Sequence, residues 1–344
     1  MVRELAEYQA GELGYSVSLL SSEDLPTDYL ASNVDVEIRK LPFNGKLKSI
    51  SGVLGPVKPD ESAIYHFHNV FSLGCLGKKP KNSICTLHGI GVLDNMSAVQ
   101  KCLIRSALNS GVCFTAVDSN TASFFGALSK PAIKVIPNGL RDITGGNSMA
   151  GVRLRNTSDE FSVGFVGVLD ELKGYRFILR AASRIVNIDK RIHFYFAGRA
   201  SDAEQKWMRE FCFKHNLAKN IHYIGEVEDA GKTVVPSFDL VVLPSRTEGL
   251  PVVLLEALRA GKPILATKVG GIPSLLKDGW NGFYIDREEK SITDAILRIR
   301  NNEEMRRCFS VNSRDLFVNQ FEISKICLQY DCLYGSVREG AEYC

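Results

Sequence analysis

Two carboxylates eight positions apart, Glu248 and Glu256, lie in the stretch SRTEGLPVVLLEALRAGKP, residues 245–263. The run DLVVLPS just before it reads as a buried strand, Pro251 suits the first turn of a following helix, and Gly261 suits its end. Such a helix start presents unpaired N–H groups around Leu250 to Val253 and a positive dipole end, both of which favour a phosphate. Gly249 lets an anion come close to the backbone. Glu256 falls two turns along, among Val252, Val253, Leu254, Leu255, Ala257 and Leu258. An unpartnered carboxylate there is costly. Its partner is either Arg259, an i,i+3 pair worth about 0.2–0.5 kcal/mol, or the hydroxyl groups of a ligand. The residues alone leave both readings open.

Other side chains able to do chemistry sit at the ends of strand-like runs. Lys173 follows FSVGFVG in VLDELKG, and His88 ends SICTLHG. A lone helix-start lysine is more often an exposed surface residue, though placement just after FSVGFVG adds weight here, and a strand-end histidine is as often structural as functional. His66 and His68, in YHFHN, alternate as strand residues do and so share one face, without the third ligand that a metal site needs. Asn138 and Gly139 suit a turn better than a substrate contact.

The elements that must position these residues alternate strand and helix. YSVSLL, VDVEIRK, AIYHFH, SICTLHG, VCFTAVDS and IKVIPNG come first; FSVGFVG, HFYFAG, IHYIG, DLVVLPS and PILAT follow. That order predicts parallel sheets covered by helices on both faces. The polar, glycine-rich run at 143–160 reads as a linker. The expected fold is α/β, with two doubly wound, Rossmann-like domains facing a cleft at the carboxyl ends of their strands. The domains are 1–142 and 161–318, followed by a helical segment at 319–344. The amino terminus, MVRELAEYQAGELG, reads as a helix with no strand before it, where a doubly wound domain normally has a first strand and a tight turn.

The 344 residues, 45% hydrophobic and 24% charged, can bury large cores, and the net charge of +3 does not point to nucleic acid. Residues 39–81 carry eight Lys/Arg against two acids, either a solvated face or a site for an anionic membrane or phosphate. Nine cysteines without a C-x-x-C pair, several inside apolar runs, read as buried free thiols. With no signal peptide and no apolar run near 20 residues, the expectation is a cytoplasmic protein without a spanning helix, peripheral attachment staying open.

PSRTEGLPVVLLEALRAGKPILATKVGGIPSLL resembles the E-x7-E region of retaining nucleotide-sugar glycosyltransferases of the GT-B fold, family 4, and TLHG, VIPNGL, VGFVGVLDELKG, FAG and IHYIGEVED occur in the matching order. The resemblance implies a metal-independent sugar transferase, with no cofactor beyond its nucleotide-sugar substrate, a UDP- or GDP-sugar. Glu248 then corresponds to the glutamate at the donor sugar and Glu256 to the one at the nucleotide ribose. Lys173 corresponds to the lysine at the donor diphosphate, and His88 to the histidine near the transferred sugar. Gly249, Leu250, Pro251, Val252 and Gly167 line the donor by the same correspondence. The implied acceptor is a saccharide or a lipid-linked sugar, and the implied setting is surface polysaccharide or glycoconjugate assembly.

Two features depart from the pattern. Val168 stands where the family commonly has arginine, leaving Arg199, Arg246 and Lys268 as substitutes, and the first strand with its glycine-rich turn has no counterpart. They favour an alternative, a catalytically silent sugar-nucleotide-binding or partner subunit. A nicotinamide enzyme is disfavoured because HGIGVLDN lacks the third glycine of the dinucleotide fingerprint. A nucleic-acid module is disfavoured by the balanced charge.

Overall fold

The computed structural model describes residues 2–21, 36–40, 62–68, 70, 73, 79–89, 98–128, 132–143 and 159–340. The chain forms two compact units, Met1–Arg141 with Phe321–Cys344 and Asp142–Gln320. Most of the linker expected at 143–160, and most of the basic stretch 39–81, lie outside the described residues.

The first unit begins with α1 (Val2–Gly11) and the parallel strands β1 (Val17–Ser21) and β2 (Val36–Lys40). Then come β3 (Tyr65–Phe67), β4 (Ser83–Leu87), α2 (Ala98–Leu108), β5 (Cys113–Ala116), α3 (Ser119–Gly126) and β6 (Lys134–Val135). Strands β3 to β6 pair in sequential order, all parallel. Strands β4 and β5 are buried throughout, as the apolar runs SICTL and CFTA require of a strand covered on both faces. Asp118 caps α3, accepting from the Thr121 N–H at 2.9 Å and from its hydroxyl at 2.6 Å.

The second unit holds β7 (Phe161–Val166), α4 (Tyr175–Ile188), β8 (Ile192–Ala197), α5 (Asp202–Lys214), β9 (Ile221–Gly225), the single turn α6 (Ala230–Thr233) and β10 (Leu240–Leu243). It continues with α7 (Val252–Arg259), β11 (Ile264–Ala266), α8 (Ile272–Leu275), β12 (Gly282–Tyr284), α9 (Glu289–Arg300) and α10 (Glu303–Leu316). Its six strands are parallel in the order β12-β11-β10-β7-β8-β9. The direction of winding reverses between β7 and β10, and the carboxyl ends of those two strands flank the crevice where doubly wound sheets bind ligands.

After α10 and a π-helical turn at Phe317–Phe321, the last helix, α11 (Ile323–Glu339), returns to the first unit. Its Ile323, Ile326, Cys327, Tyr330, Leu333, Tyr334 and Val337 pack with Leu5, Ile84, Cys113 and Ile136. Each such aliphatic side chain contributes about 1.5–3 kcal/mol of burial. Gly139 makes room for the docking: a Cβ there would meet Ile326 Cγ1 at 2.6 Å. Leu140 exchanges backbone hydrogen bonds with Phe321 and Ile323 at 3.0 and 2.9 Å. Asn138 and Gly139 therefore belong to the turn that receives α11.

Candidate functional site

Three consecutive strands of the second unit, β7, β8 and β9, end on Gly167, Gly198 and Gly225, with φ of 153°, 130° and 76°. A Cβ on Gly198 would stand 2.0 Å from the Gly167 carbonyl oxygen, so the two strand ends approach this closely only with glycine at 198. The loop from Gly167 to α4 then turns sharply. Lys173 N–H donates to Asp170 Oδ1 at 2.8 Å, and Gly174, at φ 74°, has room for no Cβ because the Pro244 carbonyl oxygen would lie 2.4 Å away. This seats the β7 loop on the end of β10 and brings Lys173 beside the first carboxylate of the E-x7-E stretch.

Lys173 Nζ reaches Glu248 Oε1 at 2.7 Å, and Ser245 Oγ donates to the same oxygen at 2.6 Å. The Glu248 side chain is 7% exposed and that of Lys173 is 32%, so the lysine is the partner with access to solvent. The TKVGG loop braces the turn from behind. Gly271 N–H donates to the Gly249 carbonyl at 2.7 Å, and Gly270, at φ 54°, approaches so closely that a Cβ would sit 1.8 Å from the Glu248 carbonyl oxygen.

Pro251 is the N-cap of α7 rather than a residue of its first turn. The Pro251 carbonyl accepts from Leu254 N–H at 3.1 Å, and the N–H groups of Val252 and Val253 begin the helix outside its own ladder. Leu250 is buried and Val252 is 37% exposed at this amino end. Gly261, at φ 61°, follows the C-cap.

Glu256 is half-buried on α7, and its carboxyl group makes no hydrogen bond among the described residues. Loss of solvation raises it to about 7, opposed by Arg259 and reinforced by the negative charge of Asp229. Arg259 acts on it through charge without a hydrogen bond, so the local pair weighed from sequence does not satisfy this carboxyl group.

Of the cations weighed as substitutes at Val168, Arg246 and Arg199 are tied by backbone to the β7 loop. Arg246 N–H donates to the Leu172 carbonyl at 2.7 Å, and the Arg199 carbonyl accepts from Leu169 N–H at 2.9 Å. Lys268 instead lies over the Tyr284 ring, 5.3 Å from its centre. Val168 itself is 41% exposed.

His88 belongs to the first unit, at the end of β4. His68 Nδ1 lies 3.0 Å from His88 Nε2, and the His66 and His68 rings stack at 4.2 Å. His66 is held by Tyr334 OH at 2.9 Å and Thr86 Oγ1 at 2.7 Å, and Thr86 also meets Thr115 and Tyr330. Loss of solvation pushes His66 down to about 3 and His88 down to about 4, which keeps these rings neutral. The two tyrosines of α11 have no signal in the sequence that links them to a strand more than 240 residues earlier. No group of three metal-ligating side chains occurs among the described residues, nor any helix long and apolar enough to cross a membrane.

A parallel doubly wound sheet thus brings a lysine–glutamate pair to its switch point, beside an open helix start. Residues 152–316 match the family Glycosyl transferases group 1; this domain belongs to that family, and the protein is a glycosyltransferase. Over 321 residues, 89% of this chain and 86% of the relative, it is 26% identical to an uncharacterized glycosyltransferase of Methanocaldococcus jannaschii. In structure it is similar to sucrose-phosphate synthase from Thermosynechococcus elongatus, with TM-score 0.80 and 18% identity, covering 99% of this chain and 93% of that one. It is also similar to Anabaena HepE in complex with UDP and glucose, with TM-score 0.73 and 19% identity, covering 88% and 86%. These likenesses establish the GT-B fold.

Proposed function

We propose that the protein moves a sugar from a nucleotide-diphosphate donor to a saccharide or lipid-linked acceptor, with retention of configuration, in surface polysaccharide or glycoconjugate assembly. The observation that carries this reading is the Lys173–Glu248 pair at the switch point, with Glu256 two helical turns beyond it and short of partners. Glu256 accepts hydrogen bonds from the ribose hydroxyls, two of which a planar carboxylate can take at once. Lys173 exchanges Glu248 for the donor diphosphate, assisted by the amino end of α7, and Glu248 is released to the donor sugar. Gly167, Gly249, Leu250, Pro251 and Val252 border the same donor. His88 is the histidine assigned to the transferred sugar.

In the reaction the bond from the anomeric carbon to the phosphate oxygen breaks and a bond to the acceptor oxygen forms on the same face. The acceptor proton passes to the departing phosphate. Positive charge aimed at the developing diphosphate stabilises the transition state, and no separate carboxylate base is needed. HepE, seen with UDP and glucose, supports a UDP-sugar as the first donor to try.

The test is transfer from UDP- and GDP-sugars to saccharide and polyprenyl-diphosphate-linked saccharide acceptors, read by mass spectrometry, with product configuration read by NMR. Glu248→Ala should abolish transfer and Glu256→Ala should weaken the nucleotide; full turnover in both would sink the reading. The exposed Val168, where the family has a cation, favours a second reading, a silent nucleotide-binding subunit. Nucleotide binding without transfer, converted to transfer by Val168→Arg, would establish it. The proposal also includes peripheral contact of residues 39–81 with anionic lipid. Co-sedimentation with phosphatidylglycerol vesicles tests it, and no preference over neutral vesicles would remove it.

A further inference from the structure

We propose that Gly231 is a positioning residue for nucleotide binding: its bare Cα, in the single turn α6, is the seat against which the Glu256 carboxyl group is held. The inference rests on the donor-binding role proposed for Glu256.

Gly231 is buried inside α6 and is not among the glycines with a positive φ. Its backbone is therefore one that any residue adopts, and glycine in a helix costs about 0.5–1 kcal/mol relative to alanine. The space accounts for the choice. A Cβ at this position would lie 2.1 Å from Glu256 Cδ, 2.3 Å from Oε1 and 2.5 Å from Cγ, so the carboxyl group already fills the place of the missing methyl. At Gly174, Gly198 and Gly270 the corresponding obstacle is backbone, and substitution there damages the fold. At Gly231 the obstacle is the free end of a flexible side chain.

Because the Glu256 carboxyl group makes no hydrogen bond among the described residues, packing and charge decide where its oxygens point. The α6 wall supplies the packing. Asp229, the N-cap of α6, repels the carboxylate from the same side, and Arg259 attracts it from within α7. A methyl on Gly231 would push the carboxyl group off its seat while the α6 backbone stayed in place. The loss would fall on nucleotide affinity, leaving turnover at saturating donor nearly untouched.

The experiment is calorimetric titration of the full chain with UDP, GDP and ADP in a double-mutant cycle of Gly231→Ala and Glu256→Ala, with donor KM and kcat measured alongside. Displacing one charge-assisted hydrogen bond should weaken the bound nucleotide about tenfold in Gly231→Ala. KM should rise in step while kcat changes less than about twofold. In the Glu256→Ala background the same substitution should cost no affinity, and Gly231→Ala/Glu256→Asp, with one methylene fewer, should recover part of the loss. Thermal unfolding gives a readout free of ligand. With Glu256 absent, Gly231→Ala should raise the midpoint by about 2 °C, as a compatible glycine-to-alanine change does, and with Glu256 present it should not.

Unchanged affinity in Gly231→Ala, or an equal loss in both backgrounds, overturns the inference while leaving the donor site standing. Wild-type affinity in Glu256→Ala, or no binding of any of the three nucleotides, overturns the donor-site reading and this inference with it.

Discussion

In the first unit, His66 gives one ring nitrogen to Thr86 and the other to Tyr334, and Tyr334 is shared with Gln9 at 3.0 Å. In the second unit, the Glu256 carboxyl group makes no hydrogen bond among the described residues, and Lys173 holds Glu248 through a single contact. The sheets differ in the same sense. The second unit winds outward both ways from the junction of β7 and β10, so two loops face one crevice there, whereas β3 to β6 follow one another in sequence and β1 pairs with β2. Polar groups that satisfy one another rigidify a structure. Groups left with capacity, at a switch point, are available to something else.

The largest effect that would break this contrast is expected at Lys173. If Lys173 serves the donor diphosphate, Lys173→Ala should lower kcat by about 10²–10³-fold, the range for removing one preorganised charge-stabilising group. Steady-state transfer assays check it, and a loss of less than about threefold would mean that the Lys173–Glu248 contact is structural. Next comes Glu256→Ala, for which calorimetry should show nucleotide affinity reduced about 10- to 100-fold, with hydrogen exchange in the first unit unchanged.

A pH dependence ranks third. Glu256 stands at about 7, above the ordinary glutamate value. Between those values the folded chain binds more protons than the unfolded one, so this group makes the nucleotide-free protein lose stability as pH rises through that window, and the effect levels off above about 7. Denaturant titrations across the window should show the slope in wild type and not in Glu256→Gln. If Glu256 serves the ribose, whose hydroxyls would donate to the ionised form, nucleotide affinity should rise over the same window.

The smallest effect belongs to the first unit. Tyr334→Phe removes the hydroxyl shared by His66 and Gln9 and should destabilise that unit by about 1–2 kcal/mol, seen as faster exchange in β3, β4 and α11. Nucleotide affinity should not move, as calorimetry would check.

Much of this was legible in the sequence, for reasons that differ by element. Runs such as VCFTAVDS and HFYFAG are long enough and apolar enough to declare buried strands, and β5 and β8 lie there. Strand β12 escaped notice because its three residues, Gly282 to Tyr284, follow the turn-forming DGWN and carry no periodicity. The residues of the turn from Glu248 to Val252, and Lys173, were readable because they are contiguous or anchored to a strand end. Their pairing was not, since the 2.7 Å contact of Lys173 with Glu248 depends on how Gly174 lets two loops meet. Gly231, in DAGKT, looks like any turn glycine until the side chain that occupies its missing Cβ is placed.

The return of α11 bears on how the chain is made. The second unit is contiguous, Asp142–Gln320, so all of it has been synthesised before residues 323–339 exist. The first unit, although begun earlier, takes Ile323, Ile326, Tyr330 and Leu333 into its own core and lacks them until then. On the ribosome, where amino-terminal domains ordinarily fold first, the order here is inverted: the contiguous second unit can mature while the first still waits for its last helix.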